Sequence, residues 1–287
     1  MFGITWQQFK RHRPALIGAA AISILALTAV FAPVVSPYDP EKFDLNIRVQ
    51  PPSTAHIMGT DELGRDLFTR ILYGGRISLT IGALAMALAV SVGTLVGALA
   101  GFYGGWIDSS LMRVTDVFLA FPRLFVLILV TTVLRQLNLP WLRASDWPPI
   151  AAVIGLLSWM SIARLVRAEY LSIKEKEFIE AARGVGADDA RIIFRHILPN
   201  AASPIIVAAT LGVAASIITE SGLSYLGFGV QPPTPTWGNL LQNAQAQMTY
   251  APWTAIFPGL MIFMAVIAIN YIGDGLRDAL DPRHVSK

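Results

Sequence analysis

The sequence contains no cysteine and few charged side chains, and each shortage excludes a class of protein. Without cysteine the chain has no disulfide, no thiolate metal site and no cysteine nucleophile. Charged residues make up 14% of the 287 residues, against roughly 25% in a typical soluble domain. Hydrophobic residues make up 54%, and the mean hydropathy is +0.55. So little polar surface cannot coat a soluble globule of this size, and we predict an integral membrane protein.

Motifs for catalysis and nucleotide binding are also missing. No lysine follows a glycine, so the Gly-x-x-x-x-Gly-Lys-Ser/Thr phosphate loop is absent. No Gly-x-Ser-x-Gly elbow occurs. The four histidines are too far apart in sequence to form a zinc-ligand pair: His12, His56, His196 and His284. We therefore predict that the chain is not an enzyme, does not hydrolyse ATP itself and holds no cofactor or metal. Basic residues interleaved with aromatics are also lacking, which argues against nucleic acid.

Long apolar runs are what the chain does contain. A transmembrane helix needs about 20 mostly apolar residues, and six runs approach or exceed that length. They cover residues 15–35, 77–102, 117–134, 149–166, 204–219 and 253–272. The first is longer than the apolar core of a signal peptide, so we interpret it as an uncleaved anchor. The predicted fold is all-α: a polytopic membrane bundle of about six transmembrane helices.

The apolar runs divide the chain into two parts and set its orientation. Residues 1–76 form an N-terminal segment with the first transmembrane helix and an outer loop, and residues 77–287 form a five-helix core. Fourteen Lys and Arg residues fall on the side of the termini and seven on the other. Cytoplasmic loops carry the excess of basic residues, so we expect both termini in the cytoplasm. Leu67, Ile71 and Leu72 recur at helical spacing opposite Arg70, which predicts a segment lying on the membrane surface.

Small and ionisable residues inside the spans predict packing more than chemistry. Gly93, Gly97 and Gly101 lie four apart on one helix face, where small residues let helix backbones approach closely. Four charged residues fall near predicted span ends, where we expect interfacial anchoring: Asp116, Arg123, Arg164 and Glu220. The scarcity of charge within the spans argues against an ion-coupled carrier.

The most informative segment is the polar stretch at about 170–200, between the fourth and fifth spans. We predict a short helix, a glycine turn at Gly184 and Gly186, and a second helix capped by Asp188. Pro199 is expected to interrupt this second helix before the fifth span.

The short helix is predicted to present an apolar face. Phe178, Ala182 and Val185 fall on one side at helical spacing. An exposed apolar face on a cytoplasmic loop indicates docking in a partner's groove.

This segment resembles the coupling loop of permease subunits in bacterial ABC importers. The resemblance rests on Glu180-Ala181-Ala182, then Gly186, then Leu198-Pro199. His196 stands where isoleucine is usual, which is similar to the peptide-importer branch. Four more segments resemble that branch in the same order along the chain: 59–66, 119–122, 225–238 and 273–282.

The resemblance implies the second permease of the dipeptide, oligopeptide and nickel group, with the type I importer fold. The implied partners are a related permease, two ATPase subunits that carry ATP and Mg, and an external substrate-binding protein, in a bacterial inner membrane. The implied coupling residues are Phe178, Glu180, Ala181, Ala182, Gly186, Ala187, Leu198 and Pro199. Candidates for an outer loop or gate are Tyr225, Phe228, Gln231, Pro233 and Trp237.

Several functions remain open at this point. Peptides are the expected substrate, while a nickel chelate, glutathione or a sugar oligomer would suit the same machine. A stand-alone secondary carrier or channel is an alternative of another class, and it predicts inverted repeats and buried charges. A membrane enzyme is disfavoured by the missing catalytic constellation.

Overall fold

The computed structural model describes residues 8–137 and 147–280 and is almost entirely helical there. Within these ranges the only β-type pairing is an isolated bridge between Thr60 and Asp66. The main helices are α1 (Arg13–Val30), α2 (Leu67–Tyr103), α3 (Gly105–Leu119), α4 (Arg123–Gln136), α5 (Trp147–Leu156), α6 (Trp159–Ile173), α7 (Glu177–Gly184), α8 (Leu198–Tyr225), α9 (Trp237–Ala244) and α10 (Trp253–Leu280).

Five described stretches are long and apolar enough to cross a membrane. They are Arg13–Val30, Leu67–Tyr103, Trp147–Ile173, Asp189–Tyr225 and Trp253–Leu280. The α3–α4 pair supplies a sixth span if it crosses as one bent unit. The second span begins ten residues earlier than predicted, because the expected surface segment is the start of α2. Arg70 is as buried as Leu67 and Ile71, so this segment is enclosed by the rest of the chain and does not lie exposed on a membrane surface.

The predicted third span, 117–134, is two helices and not one. α3 ends at Leu119, α4 begins at Arg123, and the two axes differ by 85°. Pro122 occupies the N-cap of α4 in an extended conformation. A proline also disfavours helical geometry in the residue before it, so an apolar run this long need not be one helix. We call residues 120–123 the elbow.

The glycines of α2 make a close helix contact, as the sequence predicted, and the partner helix is α6. A Cβ on Gly93 would lie 2.6 Å from the Cβ of Ile162, and one on Gly101 would lie 2.6 Å from that of Tyr170. Real Cβ atoms do not approach so closely, so α2 and α6 meet backbone to backbone along this face. From the first contact to the second, the residue number rises by eight on both helices, so α2 and α6 run parallel.

The bundle has two distinct ends. Phe9 and Ala279, close to the first and last described residues, pack together at one end. Helix α7 lies at the same end, and we call it the terminal end. At this end α1 runs antiparallel to α10, and His12 lies 3.5 Å from Asp278. Segments 37–66 and 226–252 meet at the opposite end, where the Gln247 amide donates to the Glu62 carboxylate at 3.0 Å. We call these two segments, with the helix starts they cover, the loop-end assembly.

Candidate functional site

Helix α7 rests on the terminal end of the bundle through one face. Ile179 is fully buried and Ala182 is 8% exposed. Ile179 belongs to a core cluster that also contains Tyr170, Ile192 and Phe102. The guanidinium of Arg183 lies 5.9 Å from the centre of the Phe102 ring, a cation–π contact with the end of α2. Ala182 was predicted on the exposed apolar face, and this was wrong because it turns inward beside Ile179.

The opposite face of α7 is exposed and partly apolar. Phe178 is 41% exposed and Val185 is 87% exposed. Glu180 and Ala181 are exposed beside them, while Ala187 is half-buried against the core. The described parts of the chain leave most of Val185 and about two-fifths of Phe178 uncovered. An exposed valine and phenylalanine on a short, well-seated helix form a surface suited to a partner.

A glycine turn and a cap follow α7. Gly186 has φ +84°, in the left-handed region that favours glycine. The carboxylate of Asp188 accepts a hydrogen bond from the backbone N–H of Arg191 at 2.8 Å. Both features agree with the sequence prediction. Gly184 differs, since it is the last residue of α7 and its φ is not positive.

Pro199 does not interrupt the second helix of the 170–200 segment, contrary to the prediction. The helix continues from Asp189 to Tyr225 through a π-helical turn at Ile192–Ile197. Leu198 and Pro199 occupy the first turn after this wider segment. A proline N–H is not needed where the regular hydrogen-bond ladder is already displaced. The Tyr170 hydroxyl donates to the Ile193 carbonyl at 3.3 Å and fastens this turn to α6.

Trp237, a predicted gate residue, lies inside the loop-end assembly. It is 2% exposed. Its indole N–H donates to the Ile71 carbonyl at 3.1 Å, and its backbone N–H donates to Ser78 at 3.2 Å. Thr236 and Asn239 form a capping box at the start of α9. The tryptophan therefore joins α9 to α2 as an interior residue.

The other loop candidates lie nearer the surface. Tyr225 is 37% exposed and Pro233 is exposed, after a cis bond from Pro232. Phe228 is half-buried against the cluster around α4 and α5. The Gln231 amide donates to the carbonyls of Gly227 and Gly229 at 3.1 and 3.0 Å. Their positions leave Tyr225 and Pro233 free to meet another molecule.

Segment 59–66 caps the start of α2. The carboxylate of Asp61 pairs with Arg65 at 2.7 Å, and both side chains are almost fully buried. Asp66 accepts from the backbone N–H of Thr69 at 2.8 Å, which caps α2. Its other oxygen lies 3.0 Å from His56. This segment acts as internal structure at the loop end.

Glu220 is a residue whose setting the sequence prediction missed. It is fully buried in α8. Its carboxylate accepts from Ser224 at 2.7 Å and from Ser78 at 3.2 Å. Because Ser78 also bonds Trp237, the carboxylate links α2, α8 and α9. The hydroxyl at Ser224, four residues on, was the one sequence signal for such a site.

Ionisable residues near the elbow form a second cluster. Arg167 pairs with Asp108, one contact being 2.6 Å, and Arg164 pairs with Asp116. These two pairs join α3 to α6. Arg123 donates to Ser158 at 2.6 Å. Sequence separation hid these contacts, because each joins residues at least 35 positions apart.

The described ranges contain no cluster of side chains suited to a metal ion. No group of three or more His, Asp or Glu side chains there could hold an ion.

Two known family models match most of the chain. Residues 93–285 match the family described as binding-protein-dependent transport system inner membrane component. Residues 1–52 match the N-terminal TM domain of oligopeptide transport permease C.

Curated relatives match over almost the whole length. The glutathione transport system permease protein GsiD of Escherichia coli O6:K15:H31 (strain 536 / UPEC) is 44% identical over 279 residues, covering 97% of this chain and 89% of that protein. GsiD of Shigella boydii serotype 4 (strain Sb227) matches with the same identity and coverage.

A solved structure shares the fold. It is described as inward facing conformations of the MetNI methionine ABC transporter, and the TM-score is 0.58 at 19% identity. The match covers 75% of this chain and 98% of that one.

Proposed function

The chain belongs to the family of binding-protein-dependent transport system inner membrane components, and from this premise we propose that it carries peptides into a bacterial cell as half of an ABC importer's membrane pathway. Peptides are favoured because the first 52 residues match an oligopeptide permease domain. The curated relatives are named for glutathione, itself a tripeptide. The observation that most supports an importer subunit is the exposed, apolar face of α7, which is suited to docking on a partner.

We propose that partner subunits supply the energy. Two ATPase subunits would hold the ATP and Mg, since the chain has no phosphate-binding loop. A second, related permease would form the other half of the pathway, and an external binding protein would deliver the substrate. In this assignment the chain needs no cofactor of its own.

Helix α7 would transmit the motion of the ATPases to the spans. Phe178, Ala181 and Val185 would enter a groove on an ATPase subunit, and Glu180 would make a polar contact at its edge. Ile179 is fully buried among residues of α2, α6 and the π-helical turn, so a displacement of α7 moves those elements with it. Closure of the two ATPases would thus turn the spans as rigid bodies.

The terminal end would face the cytoplasm, as the distribution of basic residues favours. The loop-end assembly would then face the external binding protein. Tyr225, Phe228, Gln231 and Pro233 are candidates for contacts at this mouth, while Trp237 would hold the mouth's shape from within.

Affinity purification of the tagged chain from its native membrane tests the assembly. We expect a second permease and ATPase subunits to come with it, and the reconstituted complex to import peptides only with ATP. A solitary chain with ATP-independent uptake would point to a secondary carrier. Import of nickel chelate without peptide import would correct the substrate.

The coupling contact has its own test. Because the chain has no cysteine, Val185→Cys introduces a single thiol at a position 87% exposed. We expect it to cross-link to an ATPase subunit that carries a cysteine in its groove. Ile179→Cys, at a fully buried position, is the matched control and should not cross-link.

A further inference from the structure

Two adjacent spans break at the same depth, and an arginine lies at the break. The α3–α4 pair bends by 85° at the elbow, and α5 ends at Leu156 where α6 begins at Trp159. Arg123, the first residue of α4, donates from Nη2 to the Ser158 hydroxyl at 2.6 Å. The Ser158 hydroxyl in turn donates a hydrogen bond to the Ile154 carbonyl. The arginine therefore bridges the two breaks.

This arginine lies near the middle of the spans along their length, on the exposed surface of the bundle. Gly155 faces Leu88 of α2, and Gly93 of α2 faces Trp159. Ser158 is thus level with residues 88–93 of α2, which runs from Leu67 to Tyr103. Those positions are ten or more residues from either end of α2, which is about 15 Å at the helical rise. A cation at this depth is costly in lipid and is expected to face a polar path or another protein.

The charge of Arg123 is not neutralised within the described ranges. Both aspartates of α3 are engaged elsewhere, Asp108 with Arg167 and Asp116 with Arg164. The contact shown for Arg123 is a neutral hydroxyl. A guanidinium has five N–H donors, so most of its capacity remains for a carboxylate, which it can hold with two parallel hydrogen bonds.

The surroundings of Arg123 suit one end of a peptide. A crevice of about 30 Å³ beside it is lined by apolar side chains, namely Phe118, Leu119, Phe121, Val126, Leu157 and Met160. This volume admits a small group of about the size of a water molecule or two and excludes a whole peptide. Phe121 is 59% exposed and Phe118 is 46% exposed, so both can contact an apolar residue next to that carboxylate. In many secondary transporters, broken spans near the bilayer midplane hold anionic substrate groups, and the break here has the same general form.

We propose that Arg123 binds the C-terminal carboxylate of the peptide midway across the membrane. This inference rests on the proposed peptide import and adds to it one contact within the spans. It assigns the elbow a role in substrate passage that is separate from the coupling segment and from the loop-end assembly.

The test uses the whole complex in proteoliposomes, with its ATPases, second permease and binding protein. Uptake of trialanine is compared with uptake of trialanine C-terminal amide, for the wild type and for Arg123→Gln. Each result is expressed as variant over wild type for the same peptide, so that the selectivity of the binding protein cancels. We expect this ratio to fall about tenfold for the free acid, as loss of a charge-assisted hydrogen bond implies, and to stay near one for the amide.

Three controls separate this role from a structural one. Arg123→Lys keeps the charge without the paired donors and should restore part of the uptake of the free acid. Arg113→Gln removes an exposed arginine from α3 and should leave both ratios near one. ATP hydrolysis stimulated by the loaded binding protein should persist in Arg123→Gln, which shows that the complex is assembled and coupled.

The outcomes that contradict the two proposals differ. If the wild type imports trialanine and Arg123→Gln imports it equally well, the carboxylate contact is wrong while peptide import stands. Equal losses for acid and amide would make Arg123 structural and overturn the contact. A wild-type complex that imports neither peptide overturns the peptide assignment, and the inference with it.

Discussion

The loop-end assembly and the coupling helix α7 both lie in segments that stand out in the sequence, and the structure treats them in opposite ways. At the loop end, Trp237, Asp61 and Glu220 are buried, and their polar atoms find partners within the chain. On α7, Phe178 and Val185 remain exposed, and Ile179 supplies the anchor. Distinctive sequence can thus serve the fold itself or serve a partner, and burial distinguishes the two.

Replacing Trp237 should produce the largest effect and mark the loop end as scaffold. Trp237→Ala removes a fully enclosed ring and the indole hydrogen bond to the Ile71 carbonyl of α2, so we expect a loss of about 3–5 kcal/mol in unfolding free energy. Denaturant unfolding in detergent measures it. Trp106→Ala, at a position 81% exposed, should change stability little. Normal stability with altered uptake in Trp237→Ala would instead make this residue a gate.

Substitutions at two neighbouring residues of α7 should have different effects, one mainly on stability and the other mainly on ATP-driven uptake. Ile179→Ala empties a buried site, and we expect a loss of about 2–4 kcal/mol. Phe178→Ala acts at a partly exposed site and should cost about 1 kcal/mol or less, yet lower ATP-driven uptake strongly. Unfolding and uptake are measured on both variants. If the two variants lost stability and uptake to the same extent, the proposed division of α7 into a packed face and a docking face would be wrong.

The glycine turn after α7 should be needed for ATP-driven uptake and should contribute little to global stability. Gly186→Val forces a β-branched residue into left-handed geometry, at a cost of about 1–2 kcal/mol. No other atom lies within 4 Å of a Cβ placed there, so the cost is one of backbone conformation alone. We expect normal membrane insertion and lost uptake. Gly184→Ala, equally unobstructed but without a positive φ, is the control, and full uptake by Gly186→Val would refute the role of the turn.

Loss of the Asp188 cap should have the smallest effect. Asp188→Ala removes the acceptor for the Arg191 N–H, and we expect a cost of about 1 kcal/mol. Asp188→Asn keeps an acceptor and should preserve most of that energy. Hydrogen exchange at the Arg191 amide reports the change locally. Unchanged exchange in Asp188→Ala would show that this cap is dispensable.

Features set by local chemistry were predictable from the sequence. Apolar length predicted five of the spans approximately. The four-residue spacing of Gly93, Gly97 and Gly101 predicted a closely packed helix face, although not its partner α6, and Gly186 and Asp188 predicted the turn and the cap. The burial of Ala182 was not predictable, because periodicity shows that a helix has an apolar face and does not show how the helix is rotated against the bundle.

Features set by distant contacts were beyond the sequence alone. Trp237 bonds the carbonyl of Ile71 from 166 positions away, and Glu220 bonds Ser78 from 142 positions away. Interfacial location was the ordinary expectation for both side chains in a membrane protein. Their burial depends on which spans become neighbours, and local pattern does not contain that information.

The antiparallel pairing of α1 with α10 has a consequence for biosynthesis. A chain made from its N-terminus releases α1 first, and about 10–50 s pass before α10 follows at ordinary translation rates. Throughout that interval the face of α1 around Gly18, which ends against Ala268 and Tyr271, has only lipid or a chaperone beside it. Completion of the last helix, and not of the first five spans, therefore closes the bundle. Chains stopped before residue 253 should accordingly be recovered bound to the insertion machinery, and their free release would argue against this order of events.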